Sequence, residues 1–156
     1  MTATPQAPSL TFLVRLEVEV GDPVDLGVVG GEHRRIVPIL GGTARGPGLE
    51  AHVLPGGVDA QVLHADGRQV LRATYGLETT DGDRLFVENR GLRSGAPADL
   101  DRLARGEEVD PSLIYFRSHP RITAPAGPWE WLNTRLLVGT GERLPAAVRL
   151  NVFVID

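Results

Sequence analysis

From Leu10 to Val20 the chain is apolar at every second position: Leu10, Phe12, Val14, Leu16, Val18 and Val20. Period two over a full strand's length turns one face of an extended segment toward a core, a pattern that no helix satisfies. The last segment repeats it, with Val148, Leu150, Val152 and Val154 in phase. Two long apolar strands at opposite ends of one chain can pair with each other, and that pairing closes a sheet on itself and hides its edges.

The sequence between them is cut into short pieces. With 19 Gly and 12 Pro in 156 residues, turns must be frequent and elements short. After the turn "GDP" a second apolar piece runs to Val29, "GGE" breaks it, "HRRIVPI" reads as a strand, and "GGTARGPG" reads as a long turn. Strands over 49–54, 58–63, 69–77 and 84–89 are divided by "PGG", "ADG" and "TTDGD", the spacing of an antiparallel meander. "SLIYFRSHPRITA", "EWLNTRLLVGTGE" and "AVRLNVFVID" complete the set.

One stretch departs from this rhythm. In "SGAPADLDRLARGEEVDPS" Leu100 and Leu103 stand three apart, acids come early, arginines late, and Gly106 can close a C-terminus, so one short helix is expected near residues 97–106, as a flap or plug at a barrel end. The fold class expected is therefore all-β: a single antiparallel barrel, preferred over a sandwich, spanning 9–156, with residues 1–8 as a flexible tail.

Composition excludes several chemistries. There is no cysteine, hence no disulfide, thiolate nucleophile or sulfur-built zinc site. All sixteen basic residues are arginine, and without lysine neither a Schiff base nor a GxxxxGK phosphate loop can be built. The net charge of −4 provides no broad cationic field for a nucleic-acid backbone. "MTATPQAPSL" lacks a secretory pattern and no stretch approaches a membrane span, so a cytoplasmic protein without a membrane partner is expected. His33, His52, His64 and His119 show no metal-binding spacing, and no metal is expected. "VVGG", "ILGG" and "GPG" lack the strand–glycine–helix context of a dinucleotide site and read as turns; no cofactor is expected.

The candidate chemistry begins at "HVLPGGVDAQVL", where Asp59 and Gln61 fall on one side of a strand straight after a Pro-Gly-Gly corner. If that side faces the inside of a barrel, a carboxylate enters a partly dry cavity, and its pKa rises toward the range useful for a general acid or base. If it faces out, Asp59 caps the turn and Gln61 meets water. Arg35 and Arg34 have opposite phase, so one of them can reach inside; an inward Arg35 would orient an anion or enolate, or partner Asp59. In "VENRG", Asn89 is in phase with Leu85 and Val87, while Glu88 and Arg90 share the other face; Asn89 is either an inner residue or a turn residue before Gly91. Tyr115 and Arg117 share a face just after the helix, as lid residues or as rim packing. Trp131 is in phase with Asn133, a pairing that suits a pocket for a flat ligand and equally suits barrel filling.

The blocks "GGEHRRIVPILGGTARGPGLEAHVLPGGVDAQVL", "ATYGLETTDGDRLFVENRGLR", "YFRSHPRI" and "WEWLNTRLLVGTGER" resemble, in this order, the bacterial and fungal family labelled domain of unknown function 3237, from residue 10 to the C-terminus. The resemblance implies a small calycin-like, up-and-down β-barrel, often a homo-oligomer, without a generally assigned activity. The family pattern usually has an aromatic after the aspartate matching Asp59, where this chain has Ala60.

The leading expectation is a cofactor-independent enzyme that moves protons on a small organic molecule, in an isomerase, cyclase, hydratase or lyase sense. Asp59 would be the acid or base, Arg35 and Asn133 would polarise oxygen, Gln61 would hold the substrate, and Trp131 and Tyr115 would form walls, with Asn89 and Arg117 as further contacts. The opposing expectation is a barrel that binds or carries the same kind of molecule without turning it over.

Overall fold

Alternation does put the first and last strands side by side. In the computed structural model, which describes all 156 residues, β1 (Leu10–Val20) pairs antiparallel with β10 (Ala147–Ile155) from Leu10↔Ile155 to Glu19↔Ala147. On its other side β1 pairs with β3 (Glu32–Gly46), so the sheet closes. The remaining staves are β4 (Leu49–Val53), β5 (Gly57–Leu63), β6 (Arg68–Thr79), β7 (Arg84–Ser94), β8 (Tyr115–Thr123) and β9 (Leu137–Arg143). β4 and β5 form one stave broken at the Pro-Gly corner, because both lie between β3 and β6. The result is a closed eight-stranded antiparallel barrel. An extra strand, β2 (Val24–Val29), continues past β1 along the first half of β3. No helix is long and apolar enough to cross a membrane.

Three local expectations change. "GGTARGPG" is not a long turn: β3 runs through it to Gly46, and its glycines bend the strand instead of ending it. A Cβ on Gly42 would stand 2.0 Å from the Glu17 carbonyl oxygen at φ +135°, so only glycine lets β3 lie this close against β1. "EWLNTRLLVGTGE" is not one strand; Glu130–Thr134 is a short 3₁₀ turn and β9 begins at Leu137. Strict alternation in β1 also fails at a register shift between Phe12 and Val14. Leu13 and Val14 are both buried there, while Leu10 and Phe12 turn outward, and Phe12 meets Phe153 edge-on at 5.7 Å.

The expected helix is present as α1 (Pro97–Ala104), with Pro97 opening it, Asp99 in its first turn and Gly106 beyond its end at φ +80°. Its buried Leu100 and Leu103 face one end of the barrel. The interior is divided along its length. The half lined by Leu49, Val53, Leu77, Val87, Ile122 and Val152 is solid apolar core, with Leu132 of the 3₁₀ turn packed into it. The half under α1 is hollow.

Candidate functional site

The hollow is built from three cross-strand rows that share the inward face. One row runs Val37, Asp59, Ala73, Asn89; the next runs Arg35, Gln61, Leu71, Gly91; the third joins Gln69 to Arg93. Parity thus answers the question raised by Asp59 and Gln61: both point inside. Ala73 and Gly91 stand between the polar groups, and their small size leaves the space open. About 60 Å³ is free for the centres of water molecules, where one water needs roughly 10–15 Å³. Several waters, or the reactive part of a small guest, fit. Leu100, Leu103 and Ala104 of α1 cover it, together with Phe116, Val148 and Leu150 from the wall.

The polar groups are chained in a fixed order. Arg35 donates from Nε and Nη2 to Gln61 Oε1 at 2.8 and 2.6 Å, and Gln61 Nε2 donates to Asp59 Oδ2 at 2.7 Å. Because a guanidinium can only donate, it claims the amide oxygen and leaves the amide nitrogen for the carboxylate. The other oxygen, Asp59 Oδ1, is shielded from solvent and has no partner. Tyr75 Oη and Asn89 Oδ1, which also line the hollow, are likewise shielded and unpartnered. Buried polar atoms are nearly always satisfied, so three orphans on residues around one cavity are unusual and single the cavity out as a candidate site.

Burial sets the electrostatics. It pushes the Asp59 carboxyl above its ordinary value, against the pull of the Gln61 amide, the Arg93 charge, the nearby Arg72 backbone N–H and the Arg35 charge. Burial, with the Asp59 charge adding to it, also pushes the Tyr75 phenol up and keeps it a proton donor. The Arg93 guanidinium is brought down by burial to about 10, and Arg35 and Arg143 are lowered by the same cause. All three arginines line the cavity. No group of three or more His, Asp and Glu side chains converges on a potential metal position.

Of the residues singled out in the sequence, Asp59, Gln61, Arg35 and Asn89 meet in this hollow. The other four do not reach it. Phe116 and Ser118 take the inward phase of β8, so Tyr115 and Arg117 lie outside, where Arg117 stacks over the Tyr115 ring at 5.3 Å. Trp131 is on the 3₁₀ turn at the solid end and is 41% exposed. Asn133 shares that turn, and its amide both accepts from Ala124 N and donates to Ala124 O, at 2.8 and 2.9 Å. It ties a loop and does not line the hollow. Ala60 is exposed, so the departure from the family's aromatic alters the outer surface and not the site.

Sequence reasoning missed Arg93, Tyr75 and Arg143. A usable signal existed for the first two: Arg93 continues the inward set Leu85, Val87, Asn89 on β7, and Tyr75 continues Leu71 on β6. Arg143 ends β9, which begins later than the sequence suggested, and its phase was not legible.

Comparison with known proteins places this geometry in a lineage. Residues 8–155 match the model of a family described as "Protein of unknown function (DUF3237)". The UPF0311 protein RPA1785 of Rhodopseudomonas palustris is 39% identical over 141 residues, covering 90% of this chain and 92% of that one. The UPF0311 protein CA_C3321 of Clostridium acetobutylicum is 32% identical, covering 90% of each. Among solved structures, that of RPA1785, a conserved protein of unknown function, superposes with a TM-score of 0.89 at 37% identity over the whole of both chains. A β-barrel-like protein of Acinetobacter baumannii gives 0.84 at 30% identity, covering 99% of this chain and 100% of that one. A protein of Penicillium herquei described as an enzyme gives 0.75 over the whole of both chains at 19% identity, a likeness of fold alone. This chain belongs to the DUF3237 family of proteins of unknown function.

Proposed function

We propose that this protein is an enzyme that transfers protons on a small organic molecule held inside the barrel, with side chains alone supplying the acid–base chemistry. One observation carries the reading: the carboxylate of Asp59, a residue that lines the cavity, is held by Gln61 through one oxygen while its other oxygen is shielded and unpartnered. A carboxyl whose pKa is raised toward working pH is a stronger base than an exposed one, and can also return the proton.

The roles differ from those expected on sequence. Asp59 takes or gives the proton through Oδ1. Gln61 positions Asp59 and does not hold substrate, while Arg35 acts through Gln61 by fixing which way its amide points. The protonated Tyr75 hydroxyl is placed to donate to an oxygen on which charge develops, and Asn89 offers an acceptor from Oδ1. Such a set serves an isomerisation, a ring closure, or addition or loss of water, all of which begin with proton removal beside a polarised oxygen. A fold shared with a Penicillium herquei protein described as an enzyme is compatible with this assignment.

The test is a metabolite screen with the wild type and Asp59→Asn. Turnover by the wild type that falls by about 10²–10⁴-fold in the variant, with ligand retention kept, supports acid–base catalysis. Equal retention by both proteins with no product from either would make the barrel a carrier.

A further inference from the structure

The charges of the hollow do not balance. Three guanidiniums, Arg35, Arg93 and Arg143, face it with one carboxylate, Asp59. Of the thirteen arginines outside the cavity, Arg34, Arg68, Arg84, Arg102, Arg105 and Arg149 each have a carboxylate within 4 Å, and the other seven have none. None of the three cavity arginines has one. The lack matters most for Arg93, because an exposed arginine gains little from a carboxylate whereas a buried one is costly without a counter-charge.

Arg93 is the extreme case. It is 5% exposed, and its guanidinium makes a single hydrogen bond, from Nε to Gln69 Oε1 at 2.8 Å. Its Cζ stands over the Phe116 ring, 5.4 Å from the ring centre. Its Nη groups have no protein acceptor. Arg143 donates from Nη1 to the Ala147 carbonyl at 3.2 Å and has no other hydrogen bond. Planar donors with unused N–H groups, one buried and one half-buried, match two-oxygen acceptors. The remaining wall, including Leu71, Leu100, Leu103, Val148 and Leu150, is apolar.

We infer that the guest of this barrel is an organic anion with its charge on oxygen, a carboxylate or acidic enol on a compact apolar frame, whose oxygens meet Arg93 and Arg143 while its frame lies against the leucines and valines under α1. The inference names the substrate class of the site proposed above and rests on that cavity receiving a guest. It also assigns Arg93 as the principal anion contact. With such a guest bound, the three guanidiniums acquire the counter-charge that Asp59 alone does not provide, and an adjacent proton transfer that builds further charge on the same oxygens is favoured by the same donors.

The experiment uses the full chain and matched probes: benzoate, cinnamate and 2-naphthoate, each beside its carboxamide, with inorganic phosphate as a control for charge alone. Binding is followed by calorimetry and by amide chemical shifts of cavity residues. At least one acid should bind in the cavity at least ten-fold more tightly than its carboxamide. That preference should shrink to under three-fold in Arg93→Gln and persist in Arg93→Lys and in the outer-surface variant Arg117→Gln. Should Arg93→Gln fail to fold, Arg143→Gln, at a half-buried position, is read in the same way. Carboxamides binding as well as acids, no acid binding at all, or phosphate matching the best acid would each overturn the inference. Its failure is separable from that of the proposed function: turnover of a neutral substrate would sink the anion and leave acid–base catalysis standing, while selective acid binding without any turnover would do the opposite.

Discussion

Gln61→Leu removes the middle of the Arg35–Gln61–Asp59 chain while nearly preserving volume. Three hydrogen bonds disappear, all with a charged partner, and such bonds contribute roughly 1.5–3 kcal/mol each when desolvated. The full sum overstates the loss, because half-buried Arg35 can turn to water. Asp59 Oδ2 cannot do so as readily. A cost of about 2–4 kcal/mol is expected, measurable as a lower urea midpoint with an unchanged m-value, or as a fall in Tm of roughly 5–15 °C.

The pH dependence discriminates further. The Gln61 amide favours ionised Asp59, so its removal moves the carboxyl further up. For a carboxyl raised in the folded state, stability is fully present below the unfolded pKa and is lost as pH rises through the folded one. The penalty of Gln61→Leu should therefore be smallest in acid, where a neutral carboxyl needs the amide least, and largest above the folded titration. A cost under about 0.5 kcal/mol at both ends of the pH range would refute the chain as described.

Asn133→Ala loses two hydrogen bonds to the Ala124 backbone and should cost about 1–2 kcal/mol in chemical denaturation, with ligand binding unchanged because the site lies at the other end. Ala73→Leu projects into the space between Asp59 and Asn89 and should abolish ligand binding by calorimetry while the far-ultraviolet circular dichroism stays that of the barrel; retained affinity would place the guest elsewhere.

The barrel was legible because its signal is repeated. Period two at both ends, turn residues between short apolar runs and one helical interruption all pointed to the same closed sheet, and local irregularities such as the Phe12–Val14 shift could not undo it. The site was legible where phase could be counted from a firm apolar anchor. Asp59 and Gln61 follow a defined corner, and Asn89 follows Leu85 and Val87. Trp131 and Asn133 failed because their segment is a 3₁₀ turn, in which two residues apart no longer means one face. Tyr115 and Arg117 do share a face, but alternation alone does not say which face is inside; buried Phe116 decides it. Arg93 was hidden by expectation, since a strand arginine is ordinarily at the surface and only closure of the barrel makes its position an interior one.

The most direct measurement follows the Asp59 side-chain carbon by ¹³C NMR through a pH titration, assigned by its disappearance in Asp59→Asn. A midpoint above the ordinary carboxylate value of 3.8, moving again when a cavity ligand is added, is the predicted result. A midpoint at or below 3.8 that no ligand disturbs would describe a hydrated carboxylate, and would contradict the interior site on which the proposed chemistry depends.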